Sequence, residues 1–349
     1  MEQQNDNTQQ PLIPDGTTYI DENAFSTRID FTEVIIPDSV TCIGKEAFEG
    51  CGSLEKVTIG NNVTTIEEAA FSNCHKLKDV SIGRKVTYIG AKAFSDCMSL
   101  GEIIISKNVT TIGEYAFSGC VGLEKITIPN NVVTIEKSAF EKCRGLREVI
   151  IEDGNGALQI VQTAFSDCPI ASLYMGRTIK AYKDNPYKDH ADRLCFPFNN
   201  TTSLTTLTIG YKITIESGSF KNCIGLSEIN SIDTKPPYKT NALYYDTGIR
   251  RGACVLNIPI GCKDKYLQDW YWKDFAKINE VDFSKKESTN VESDNDESTI
   301  VIRGTNVPVS VYNRKGELTQ HFTVQGEEHL NIPLAKVFIL KDDSEDNDS

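Results

Sequence analysis

A chain of 349 residues that is 39% hydrophobic and 24% charged has an ordinary soluble composition. It contains no run of about 18 apolar residues to span a membrane. Its net charge of −13 sits mostly in three polar segments: residues 1–10 carry −2, residues 282–298 carry −4 and residues 341–349 carry −4, leaving about −3 for everything else. That balance excludes a nucleic-acid footprint and makes the acidity a property of solvated segments.

The first ten residues, MEQQNDNTQQ, lack the basic start and apolar core of a signal peptide. Residues 1–16 are expected to form a disordered spacer. The protein is extracellular or at the cell surface if a leader has been removed, and cytoplasmic if Met1 is the native start.

From Thr17 to Ile232 the chain repeats itself. Phe25, Phe48, Phe71, Phe94, Phe117 and Phe140 are each 23 residues apart, and Phe165, Phe198 and Phe220 follow. After Phe48 the pattern places Cys51, Leu54, Val57, Ile59, Val63 and Ile66; after Phe71 it places Cys74, Leu77, Val80, Ile82, Val86 and Ile89 at the same offsets. Such a period with one short apolar strand per copy predicts a solenoid of leucine-rich-repeat type, each copy one coil stacked on the last. The fold class is an α/β repeat, mostly β, of about nine coils with parallel short strands, extending roughly 40 Å at about 4.8 Å per rung. Within a copy, LEKVTI alternates as a strand with one buried face, VTTI is a second extended piece, and EEAAFSNC reads as a single helical turn.

Eleven cysteines suggest a disulfide scaffold or a metal site until they are placed. Cys51, Cys74, Cys97, Cys120, Cys143, Cys168 and Cys223 each lie three residues after a repeat Phe, a slot that Arg28 and Thr201 also fill. The ladder therefore reads as buried reduced thiols in a packing position. Rungs about 4.8 Å apart fall within the distance a disulfide accepts, but parallel side chains disfavour bridges. Cys42, Cys195, Cys254 and Cys262 show no CxxC spacing, which leaves zinc without a ligand set.

The spacing of 23 fails after Phe140, and GRTIKAYKDNPYKDHADRLCFPFNN stretches the Phe165 to Phe198 interval to 33. Insertions of this kind loop out on one face of a solenoid and carry function, so residues 176–195, with Lys183, Tyr187 and His190, form a candidate loop. Asp184, Asp189, His190, Asp192 and Cys195 lie there within twelve residues, but their spacing matches no standard metal-ligand set, and a solvated loop is the plainer reading. Residues 233–281 form a cap: KPPY suggests a turn, ACVLNIPIGC a strand, and KYLQDWYWKDFAKI an amphipathic helix whose Trp270, Trp272 and Phe275 cover the last coil. Residues 282–298 are an acidic linker, residues 299–341 alternate like five short strands of a small β module, and residues 342–349 are a disordered acidic tail.

The outward strand positions form a second pattern. One column reads Ile35, Thr58, Ser81, Ile104, Thr127, Ile150, Tyr174 and Thr208, beside Glu33, Lys56, Asp79, Glu102, Lys125 and Glu148. Exposed Ile, Thr and Tyr beside mixed charge suit a protein contact with an apolar centre and polar rim, although β-propensity alone also favours Thr and Ile there. This column is the candidate protein-binding face.

The repeat VTTIGEYAFSGCVGLEKITIPNN, Val109 to Asn131, resembles the BspA-type leucine-rich repeats of bacterial surface proteins, and the match covers about 215 residues. The resemblance implies a surface or extracellular protein of host-associated bacteria that acts in adhesion or protein binding without enzymatic activity. In the C-terminal module, VSVYNRKGEL and LNIPLAKVFILK resemble the β-sandwich sorting domains that direct some proteins of these bacteria across the outer membrane. Lys336 and Phe338 stand where that pattern has Gly and Tyr.

No GxSxG, P-loop or HExxH motif is present; His75 occupies a variable surface position, and His321 and His329 lie on separate strands of the C-terminal module. The sequence therefore points to a non-enzymatic binding or adhesion protein without metal or cofactor. It is expected to be monomeric, with protein partners such as host extracellular matrix or mucosal proteins. The alternative is a structural spacer or assembly scaffold without its own ligand.

Overall fold

The computed structural model describes residues 13–161, 163–181, 197–198, 200–215, 220, 222–239, 251–283, 299–312, 318–331 and 336–339. The chain divides into two compact units, Met1–Val281 and Asp282–Ser349.

In the first unit each copy makes one coil. A typical one runs along strand Lys56–Ile59, turns, runs along strand Thr65–Ile66, and returns through tight turns that carry Phe71 and Cys74. Alternation along Lys56–Ile59 puts Val57 and Ile59 inside, where Leu54, Val63, Ile66, Phe71 and Cys74 join them out of contact with water. Each such aliphatic or aromatic side chain contributes roughly 1.5–3 kcal/mol by burial, so a one-residue slip that exposed a column would be prohibitive.

The second strands build an eight-stranded parallel sheet from Tyr19–Ile20 to Ile179–Ala181, in which Cys42 pairs with Thr65 and Thr65 with Tyr88, one copy apart. The first strands do not form a single sheet. Glu33–Ile36, Lys56–Ile59 and Asp79–Ser81 make one of three strands; a second, of seven strands, runs from Lys125–Ile128 to Lys277–Val281.

The expected helical turn is corrected by the structure. From Phe25 to Phe140 the residues two before and two after the repeat Phe have left-handed backbone: Glu46 and Gly50 (φ 57° and 68°), Ala69 and Asn73 (55° and 61°), Tyr115 and Gly119 (56° and 75°). This alternation aims every second amide along the stack. Ala69, Phe71 and Asn73 donate to the carbonyls of Ala91, Ala93 and Ser95 in the next coil, each at 2.8 Å. A continuous hydrogen-bond ladder outside any strand thus holds the third side of the solenoid and satisfies backbone groups that burial would otherwise leave costly.

The Phe rings stack face to face along this side, with centroids 4.9 Å apart at Phe25–Phe48, 5.4 Å at Phe94–Phe117 and 5.1 Å at Phe140–Phe165. The cysteine slot also proves to be more than packing. Cys74, Cys97, Cys120 and Cys143 donate their thiols to the carbonyls of Phe48, Phe71, Phe94 and Phe117 in the preceding coil, at 3.1 to 3.2 Å. A buried thiol fills the slot like a small hydrophobe and still supplies a donor.

At the N-terminal end ordered packing starts before Thr17: Ile13 is buried in the core and Thr17 donates from both N and Oγ1 to the Pro14 carbonyl. At the other end the amphipathic helix is replaced by a short helix, Lys263–Gln268, and a 3-10 turn, Trp272–Asp274. Trp272 and Phe275 are buried, whereas Trp270 is 51% exposed and does not cover the last coil. The segment also adds strands Val255–Pro259 and Lys277–Val281 to the seven-stranded sheet.

In the second unit the described residues form three antiparallel strands rather than five short ones. Thr299–Tyr312 pairs along its length with Leu318–Asn331, and Lys336–Ile339 pairs with Val309–Tyr312. Thr299–Tyr312 runs on past Gly304 through a bulge: the register shifts between Thr305 and Val307, and the strand continues. One sheet is described, where the sorting-domain resemblance implies two.

Candidate binding face

The outward column lies where the strand alternation puts it. Ile35 pairs with Thr58 and Thr58 with Ser81 in the three-stranded sheet; Thr127, Ile150, Tyr174 and Thr208 pair in succession in the seven-stranded one. Ile104 stands between the two sheets, so the row is interrupted. Residues Glu102 to Ile105 join neither ladder, and no backbone hydrogen bond ties them to a neighbouring coil among the described residues. Ile103 and Ile105 still reach the core, while Ile104 is 76% exposed. The opening is confined to this face, because Tyr88–Ile89 and Thr111–Ile112 pair normally in the other sheet of the same coils.

The neighbouring charge column changes its pattern where the ladder fails, although Glu102 and Lys125, of opposite charge, do not pair either. Lys56 pairs with Glu33 at 2.9 Å and Lys125 with Glu148 at 3.1 Å. Both lysines thus bond away from the middle of the column, and Asp79 and Glu102, consecutive and exposed there, have no ion pair among the described residues. Like charges at adjacent strand positions oppose pairing.

Further along, Tyr174 donates its hydroxyl to Asp153, 2.9 and 3.1 Å from the two carboxylate oxygens. Burial and the Asp153 carboxylate hold the phenol above its usual range. Beneath the adjoining turn the buried Arg177 donates Nη1 to Asn130 O at 2.7 Å and Nη2 to Pro129 O at 2.8 Å. It clamps the turn preceding the long insertion to the turn two coils back. Burial lowers its pKa.

Sequence reasoning stopped the column at Thr208 and missed its continuation. Asn230, Asn257 and Asn279 occupy the next three rungs and link by amides: Asn257 to Asn230 at 2.9 Å and Asn279 to Asn257 at 3.0 Å. Their polar groups are mutually satisfied, which ends the apolar part of the face. The signal was an Asn at the outward position of each strand.

Lys183, Tyr187 and His190, the candidate loop, lie outside the described residues, as do most of the linker and the acidic tail. His75 is exposed, with Nδ1 2.9 Å from Asp96 O. Among the described residues no three His, Cys, Asp or Glu side chains are grouped to hold a metal, and no helix is long and apolar enough to cross a membrane.

The family model described as "BspA type Leucine rich repeat region (6 copies)" matches residues 3–124, 78–192 and 195–300. The chain belongs to the BspA-type leucine-rich repeat family. Solved structures similar to this BspA-type chain include a leucine-rich repeat protein of T. pallidum, 29% identical over 44% of this chain and 70% of that one, with a TM-score of 0.41. Others are a leucine-rich repeat protein of Bacteroides ovatus (20% identity, 76% and 88% covered, TM-score 0.38) and a leucine-rich cell surface protein of Faecalibacterium prausnitzii (21%, 76% and 83%, 0.31). No curated protein matches the chain significantly.

Proposed function

We propose that this BspA-type protein is a non-enzymatic binding or adhesion protein at the bacterial surface, and that it captures a protein partner on the outward strand face. The observation that carries this reading is the exposure of Ile35 (51%) and Ile104 (76%) in a column whose inward neighbours are fully committed to the core. The fold needs Val34, Ile36, Ile103 and Ile105 in the core; an exposed Ile between them adds β-propensity but no burial. Large exposed apolar side chains beside charged rims are the composition of a protein contact. Tyr174, held against Asp153, adds an ordered aromatic group of the kind that dominates binding energy at interfaces.

The test is capture of purified extracellular-matrix and mucosal proteins on a biosensor by the full chain and by the variant Ile104→Lys, Ile150→Lys, Tyr174→Ser. The reading predicts loss of capture by a variant with an unchanged circular dichroism spectrum. Undiminished capture removes the face from consideration, and absence of capture by either form favours a structural spacer.

A further inference from the structure

We propose that the strand face around Asp79, Glu102 and Ile104 docks a segment of a partner protein that presents lysine or arginine beside an apolar side chain. This rests on the binding reading of the same face and names the chemistry of what it binds. Among the described residues Asp79 and Glu102 make no ion pair, since Lys56 and Lys125, on either side of them, bond outward to Glu33 and Glu148; Asp79 keeps only the longer-range attraction of Lys56 and Lys78. Like charges at adjacent strand positions repel, and a cation placed between them removes that repulsion. Two residues further along the coil from Glu102, Ile104 offers the most exposed apolar side chain of the column.

An ion pair at the border of an apolar contact is stronger than one in open water, since the contact excludes solvent and lowers the local dielectric. The unpaired backbone amides and carbonyls of residues 102–105 add donors and acceptors at the same place. A second copy of this face fits poorly, because its lysines are already engaged. An anionic lipid surface is repelled by the two acids.

The experiment uses the full chain and three matched sets of short peptides with the cores Leu-Arg-Val, Leu-Gln-Val and Leu-Glu-Val, followed by fluorescence anisotropy at low and high salt. The Arg set is expected to bind about tenfold more tightly than the Gln set, the sum of two partly shielded ion pairs. The Glu set should bind weakest, and the differences should shrink with salt. Glu102→Lys should abolish the preference for Arg; a thermal melt of the same variant confirms that it is folded.

Equal binding of the three sets, no binding of any, or an Arg preference that survives both Glu102→Lys and Asp79→Asn overturns the proposal. Ile104→Ser with Tyr174→Ser keeps both acids and reports on the face itself. If that variant loses peptide binding while the acids prove irrelevant, the charge inference fails and the face reading stands. If neither kind of variant matters, the face reading fails.

Discussion

Asp79 and Glu102 occupy the same position of consecutive coils; the first-strand ladder that includes Asp79 ends there, and Glu102 joins no ladder on either side. They are the only like-signed neighbours in a column that otherwise alternates, from Glu33 and Lys56 to Lys125 and Glu148. Glu102→Lys restores an opposite charge beside Asp79, although it also brings a second lysine next to Lys125. Because Lys125 already pairs with Glu148 at 3.1 Å, whereas Asp79 makes no ion pair among the described residues, the first effect outweighs the second and the expected outcome is a small stabilisation, below the ~0.5 kcal/mol of an exposed cross-strand pair. Equilibrium denaturation in urea measures it, and a lower midpoint would show that repulsion between Asp79 and Glu102 does not weaken the fold.

Much of this architecture was legible because burial repeats without variation: Phe, Cys, Leu and the paired Ile positions recur at fixed offsets, and any slip would expose them all. The turn ladder was only half legible: the left-handed positions two after the Phe hold turn residues such as Gly50, Asn73, Asp96 and Gly119, but those two before it hold Glu46, Ala69, Lys92 and Tyr115, which carry no turn signature. Cross-coil hydrogen bonding, not local preference, fixes their conformation. The bulge in Thr299–Tyr312 was hidden for a related reason: Gly304 and Asn306 are turn residues locally, and only pairing with the facing strand keeps the chain extended. At the candidate face the column of residues was readable, whereas its interruption at Ile104 was not, because residues 102–105 keep the same alternation of buried and exposed positions as the paired strands.

The buried thiols predict a defined alkaline weakness. Burial pushes the Cys97 and Cys120 thiols well up, and Cys42, buried in part and facing Glu67, is pushed up to about 12. A group whose folded pKa is raised contributes stability that is complete below its unfolded pKa and is lost as pH rises toward the folded value. Above about pH 9 the unfolded chain releases protons that folded Cys97 and Cys120 retain, so stability falls by about 1.4 kcal/mol per pH unit for each. Urea midpoints measured from pH 7 to 10.5 should be flat and then drop, and Cys97→Ala with Cys120→Ala should flatten the drop. Alkylation of these thiols should follow unfolding, since the thiolate is the reactive form.

Arg177 ties the turn before the long insertion to Pro129 and Asn130. Arg177→Ala removes two donors from buried carbonyls and leaves a void, at a cost of about 2–4 kcal/mol. Arg177→Lys reaches with one donor group instead of a fork and should recover part of that loss. Thermal denaturation ranks the three proteins, and equal midpoints would mean that the clamp contributes nothing.

The claim that the outward strand face is the binding surface is tested most directly by hydrogen exchange of the unmodified protein, alone and saturated with a captured partner. Added protection is predicted at residues 102–105, whose amides have no cross-coil partner among the described residues, with weaker effects at Lys125–Ile128, Glu148–Ile151 and Ser172–Met175. Protection confined to residues 182–196, or to the second-strand sheet from Tyr19–Ile20 to Ile179–Ala181, would contradict it.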